Sequence, residues 1–113
     1  MSHFTQIVVQ TQDFDFAHEY QKLRDSNHSD GALVTFVGLV RDTNLQQSVS
    51  SLYLEHYPAM TEKVLNNIVQ TAKAKWQLGS VSVIHRVGQL KVSEQIVFVG
   101  VTSQHRQSAY HAN

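Results

Sequence analysis

Met60, Val64, Ile68, Ala72 and Trp76 recur every four residues, with Leu65 and Val69 beside them, and together they form one face of an amphipathic helix. Pro58 stands where such a helix would begin, its fixed φ suiting the first turn, and Leu78–Gly79 stand where it would end. An apolar stripe of that length must be buried against another apolar surface. The chain supplies one in extended runs rich in β-branched and aromatic residues: Ala32–Arg41 (ALVTFVGLVR), Val81–Val87 and Gln95–Ser103. Phe4–Gln10 and Ser51–Tyr57 read as further strands. A second helix is predicted over Phe16–Arg24, with Phe16, Tyr20 and Leu23 on one face and Asp13 or Asp15 as its cap. A third begins after Ser103. Gly38, inside its strand, predicts a bulge or a close backbone approach. Asp25–Gly31 and Gly88–Glu94 read as connections, and Asp42–Ser50 as a mobile polar loop. The order β-α-β-β-α-β-β-α predicts a single α+β domain over residues 1–113 with a mixed or antiparallel sheet.

Composition narrows the chemistry. Nine Lys and Arg balance nine Asp and Glu in 113 residues, so the basic excess of a general nucleic-acid binder is missing and any positive site must be local. There is no cysteine, which excludes a disulfide framework, a thiolate metal site and a cysteine nucleophile. The N-terminal segment lacks the pattern of a signal peptide, and no apolar run approaches the ~20 residues of a membrane span, so a cytoplasmic protein is expected. The seven histidines show neither helical i, i+4 ligand spacing nor a His-rich tract. Phosphate-loop, dinucleotide-glycine and Gly-x-Ser-x-Gly motifs are absent too, and no metal or other cofactor is expected.

The richest chemistry lies in Ile96–Tyr110, IVFVGVTSQHRQSAY. The strand pattern runs to Val101. Thr102 and Ser103 can each cap a helix, and Gln104, His105 and Arg106 fall where its first turn would lie. A helix N-terminus carries unpaired N–H groups and partial positive charge, so His105 and Arg106 there make a seat for a phosphate or carboxylate. His105 can also move a proton near neutral pH. The same pattern fits a capped surface helix. Arg41 closes a strand and meets a loop, a common place for ligand contacts, although an ordinary solvated arginine fits equally. Glu55 and His56 are adjacent in a strand and point to opposite faces, so they cannot easily converge. For His85 and Arg86 the reading is structural, with one of the pair facing the core.

Four blocks carry a specific resemblance: GALVTFVGLVR (Gly31–Arg41), LEHYPAMTEK (Leu54–Lys63), VSVIHRVGQL (Val81–Leu90) and IVFVGVTSQHRQSAY (Ile96–Tyr110). In this order they are similar to the large, catalytic subunits of molybdopterin synthase. The resemblance implies an α/β-hammerhead-type α+β fold and a homodimer. Each protomer would bind a small ubiquitin-like subunit with a C-terminal thiocarboxylate, giving a heterotetramer. The implied reaction transfers two sulfurs to cyclic pyranopterin monophosphate (precursor Z), forming molybdopterin. The family's substrate-binding run matches Leu39, Val40 and Arg41, and its His-Arg pair matches His105 and Arg106. Arg41 and Arg106 would hold the anionic substrate, and His105 would bind it or assist proton transfer. The family continues past the position of Asn113, through a segment with two lysines that serve the thiocarboxylate and the pterin. The expectation is therefore a domain lacking its C-terminal part and inactive in this 113-residue form. The alternative is a non-catalytic dimeric or regulatory module that keeps the fold and the anion pocket.

Overall fold

The computed structural model describes the backbone of residues 3–41, 43–44, 47–48, 51–54 and 58–113, and side chains for residues 3–41 and 61–113. In chain order the elements are β1 (Thr5–Gln10), α1 (Phe16–Arg24), β2 (Ala32–Leu39), β3 (Thr43–Asn44), β4 (Gln47–Ser48), β5 (Ser51–Leu54) and α2 (Pro58–Lys75). β6 (Val81–Arg86), β7 (Gly88–Lys91), β8 (Gln95–Ser103) and α3 (Arg106–Ala112) follow. Among the described residues no helix is long and apolar enough to cross a membrane.

The main sheet has the order β1-β6-β8-β2. β1 runs parallel to β6, and the other two pairings are antiparallel, so the sheet is mixed and the fold α+β, as expected. Alternation along β6 and β8 sends side chains to two faces. Ile84 and Phe98 pair on one face and pack with Phe14 and Leu23 from the α1 side. Val81 and Val83 pair with Val101 and Val99 on the other, against Val69 and Leu65 of α2. The result is three layers: α1, the sheet, then α2 with α3.

α1 has the predicted bounds. Of the two candidate caps, Asp15 does the work: its Oδ1 accepts from Ala17 N (3.0 Å) and His18 N (3.4 Å), a cap worth about 1 kcal/mol. Asp13 instead accepts from Phe14 N at 2.8 Å. The predicted apolar face is only partly covered, since Leu23 is buried while Phe16 and Tyr20 stack on each other at the surface. The α2 stripe is likewise wider than its contact. Leu65 and Val69 meet the sheet, but Val64 and Ile68 remain more than half exposed, at 51% and 59%.

Three segments differ from expectation. β2 stops at Leu39, not Arg41, because the pairing with β8 shifts register between Gly38 and Leu39. This is the irregularity that Gly38 predicted, and the group approaching its backbone is the neighbouring strand's Val97, whose Cγ1 would lie 2.9 Å from an added Cβ. Gly88–Lys91, read as a connection, is strand β7 and pairs with β5, burying Leu90. Its partner lies far upstream, so no local pattern announces it. Within Asp42–Ser50, β3 and β4 form a short antiparallel pair. The end of the predicted strand Ser51–Tyr57, and the reading of Glu55 with His56, lie outside the described residues.

Candidate functional site

The segment after β8 is built differently from a simple capped helix. Thr102 and Ser103 complete the strand and are buried. Thr102 Oγ1 accepts from Ser80 N (2.8 Å) and donates to Asp30 Oδ2 (2.6 Å), which also faces His3 Nε2 at 3.1 Å. Ser103 Oγ donates to Gln77 O (2.6 Å) and accepts from His105 N (3.2 Å). Both hydroxyls are thus spent on fixing the strand end, and neither caps α3. His105 occupies the N-cap position with extended φ and ψ and makes no side-chain cap bond. Arg106 is the first helical residue, two positions later than the sequence suggested. Packing at this junction is tight: a side chain at Gly79 would place its Cβ 1.8 Å from Asp30 Oδ2, so only glycine fits there.

His105 and Arg106 are exposed, and among the described residues neither side chain has a hydrogen-bond or ion-pair partner. Both are therefore free to meet an anion.

Arg41 is also exposed and unpartnered among the described residues. The backbone before it is held firmly. Val40 N donates to Glu94 O (3.0 Å), and Val40 O accepts from Ser93 N (2.9 Å). Of the run Leu39–Val40–Arg41, Leu39 and Arg41 face solvent, while the Val40 side chain is buried and its N–H is committed to the turn before β8.

The two halves of the expected anion site do not meet within one chain. β2 and β8 pair from Ala32 opposite Ser103 to Leu39 opposite Gln95. At about 3.3 Å per residue, that ladder separates its ends by roughly 25 Å. Arg41 lies beyond one end, and His105 and Arg106 lie beyond the other. No pair of arginine side chains closes that distance around one small molecule, so the joint grip of Arg41 and Arg106 is not made by a single protomer.

Arg86 takes the structural role expected of the His85–Arg86 pair. It is buried, with Nε and Nη2 on Thr11 O (3.2 and 3.1 Å) and Nη1 on Gln95 O (2.9 Å). Its carboxylate neighbours are Glu94 at 3.4 Å and Asp13 at 3.8 Å. His85 faces the α2 side, and its Nδ1 is buried without a hydrogen-bond partner among the described residues. Sequence reasoning gave Glu94 no part in this. A lone Glu in a polar turn carries no motif, and only the pairing of β2 with β8 brings it beside Val40. Among the described residues no group of three or more His, Asp or Glu side chains could hold a metal ion.

The chain matches the family model described as MoaE protein over residues 9–113. It is 62% identical over 108 residues to the molybdopterin synthase catalytic subunit of Haemophilus influenzae, covering 96% of this chain and 71% of that protein. Among solved structures, molybdopterin cofactor biosynthesis protein E from Burkholderia multivorans superposes with a TM-score of 0.85 at 42% identity, over 97% of this chain and 71% of that one. Molybdopterin synthase from Staphylococcus aureus superposes with a TM-score of 0.81 at 32% identity, over 96% and 76% respectively. With the family model spanning residues 9–113 and 62% identity over 108 residues, the chain belongs to the MoaE family of molybdopterin synthase catalytic subunits.

Proposed function

We propose that the protein converts cyclic pyranopterin monophosphate to molybdopterin, accepting sulfur from the thiocarboxylate of a small ubiquitin-like subunit in the cytoplasm. The observation that carries this reading is the 62% identity over 108 residues to a catalytic subunit. The chemistry agrees. The substrate carries a cyclic phosphate, and all three side chains are exposed and unpartnered among the described residues. Leu39, exposed beside Arg41, offers an apolar edge to the pterin. His105 either donates a hydrogen bond or transfers a proton.

The separation of the two cationic centres argues for a site completed by two protomers. In a symmetric dimer, one protomer's Arg41 and its partner's His105 and Arg106 can share a substrate, and two-fold symmetry then creates the site twice. Such a homodimer, with a small subunit on each protomer, makes the heterotetramer that the resemblance implies.

Titration calorimetry with the substrate tests the assignment. Arg41→Ala and Arg106→Ala should each weaken binding by roughly 1.5–3 kcal/mol, the worth of a charge-assisted hydrogen bond. Unchanged affinity in both variants removes them from the pocket. Turnover provides a second test. The lysines implied for sulfur transfer have no counterpart among these 113 residues, so a polypeptide of this sequence alone should bind substrate without forming molybdopterin. Robust turnover by that polypeptide would show that those lysines are dispensable.

A further inference from the structure

We propose that Glu94 and Arg86 are positioning residues for Arg41. The inference rests on the reading that Arg41 holds the substrate. Arg41 is placed by Val40, and both backbone groups of Val40 are bonded to the turn between β7 and β8. That turn is not held by its own backbone alone. Glu94 N donates to Lys91 O (3.0 Å), and Glu94 Oε2 accepts from Lys91 N (2.6 Å), so a single residue closes the turn through main chain and side chain together. Ser93, at its tip, sits at a φ of 73°, a left-handed conformation that a non-glycine residue keeps only when its surroundings hold it there. Arg86 braces the residue that follows it, with Nη1 on Glu94 Oε1 at 3.4 Å.

Arg86 ties three segments together. Its fork holds Thr11 O from the β1–α1 connection, Gln95 O at the start of β8, and Glu94 Oε1. Gln95 closes the same unit from its other side, donating from Nε2 to Asp13 Oδ1 (2.8 Å) and Phe14 O (3.0 Å). The side chain of Arg86 is only 7% exposed, so its contacts are poorly screened. The arrangement has a second consequence. Glu94 lies within the turn that carries Val40, and its charge would repel an anion arriving at Arg41. The Arg86 guanidinium occupies Glu94 and Asp13 together, while Arg41 has no ion-pair partner among the described residues.

The test is a double-mutant cycle on the synthase assembled from the small subunit and a form of this protein that carries the implied lysine segment, reading KM for the pterin substrate, kcat and thermal stability. Glu94→Ala should raise KM about fivefold, the size of one lost hydrogen bond, while changing kcat less than about twofold. Glu94→Gln keeps an oxygen for the Lys91 N–H and should return KM to within about twofold of the parent. In the Arg41→Ala background, Glu94→Ala should add almost nothing, because the residue it positions is gone. An unchanged KM in Glu94→Ala, or effects that multiply in the double variant, would overturn the positioning role and leave the Arg41 assignment standing. An unchanged KM in Arg41→Ala alone would overturn that assignment, and the positioning role with it. Arg86→Lys should fail to rescue Arg86→Gln, since an ammonium cannot reproduce the fork on Thr11, Gln95 and Glu94. Full rescue would show that charge alone suffices.

Discussion

Mixed dimers of Arg41→Ala and Arg106→Ala protomers are expected to recover high-affinity substrate sites that neither variant has alone. If one protomer supplies Arg41 and the other His105 and Arg106, each pure variant dimer has two broken sites. In a mixed dimer, one site receives the intact Arg41 and the intact Arg106, and the other receives both substitutions. Random reassortment makes about half the dimers mixed, so about one quarter of all sites should return to parental affinity. The measurement is calorimetric stoichiometry after co-refolding or co-expression, compared with an unmixed blend of the two variants. No recovery would mean that the two arginines do not share a site across the dimer. The β2–β8 ladder holds the two centres apart. A ladder of backbone hydrogen bonds is too stiff to fold back on itself and bring its ends together.

Phe98→Ala should cause the largest loss of stability. Phe98 is fully buried, with ring centroids 5.8 Å from both Phe14 and Phe16 in edge-to-face geometry, and it packs with Leu23 and Ile84. Truncating such a residue costs about 3–5 kcal/mol, transfer and cavity terms together. Domains of this size have roughly 5–15 kcal/mol in total, so the variant should be marginal, with a melting temperature at least about 12 °C lower. Urea and thermal unfolding both report it. A loss below about 1 kcal/mol would mean that the α1 side of the sheet repacks around the gap.

Elements with a strong local period were legible. α1 and β8 were read with their observed bounds, because a cap or a long apolar run announces each. Pro58 opens α2 as expected. β7 was missed because GQLK has no period of its own and becomes a strand only by pairing with β5. Thr102 and Ser103 were misread as caps because a hydroxyl before a helix has two possible uses. Here Ser80, Asp30 and Gln77 claim them from other parts of the chain. Val64 and Ile68 belong to the apolar stripe by spacing, yet the sheet reaches only as far as Leu65 and Val69. For the site, the residue types at Arg41, His105 and Arg106 were readable as anion binders. The contact that holds the backbone before Arg41 was not, since Glu94 meets Val40 only through the pairing of β2 with β8.

By itself, the sequence determined the kinds of element and the identity of the cationic residues at the strand ends, because hydrophobic period, proline and caps act within a few residues. Which strands neighbour one another, and therefore which strand end each cation occupies, was decided only by tertiary structure. Antiparallel pairing reverses the chain direction between β2 and β8. The residue after one strand and the residues after the other consequently lie at opposite edges of the same sheet, roughly 25 Å apart. That separation places the cationic residues in two half-sites, which the proposed dimer would join.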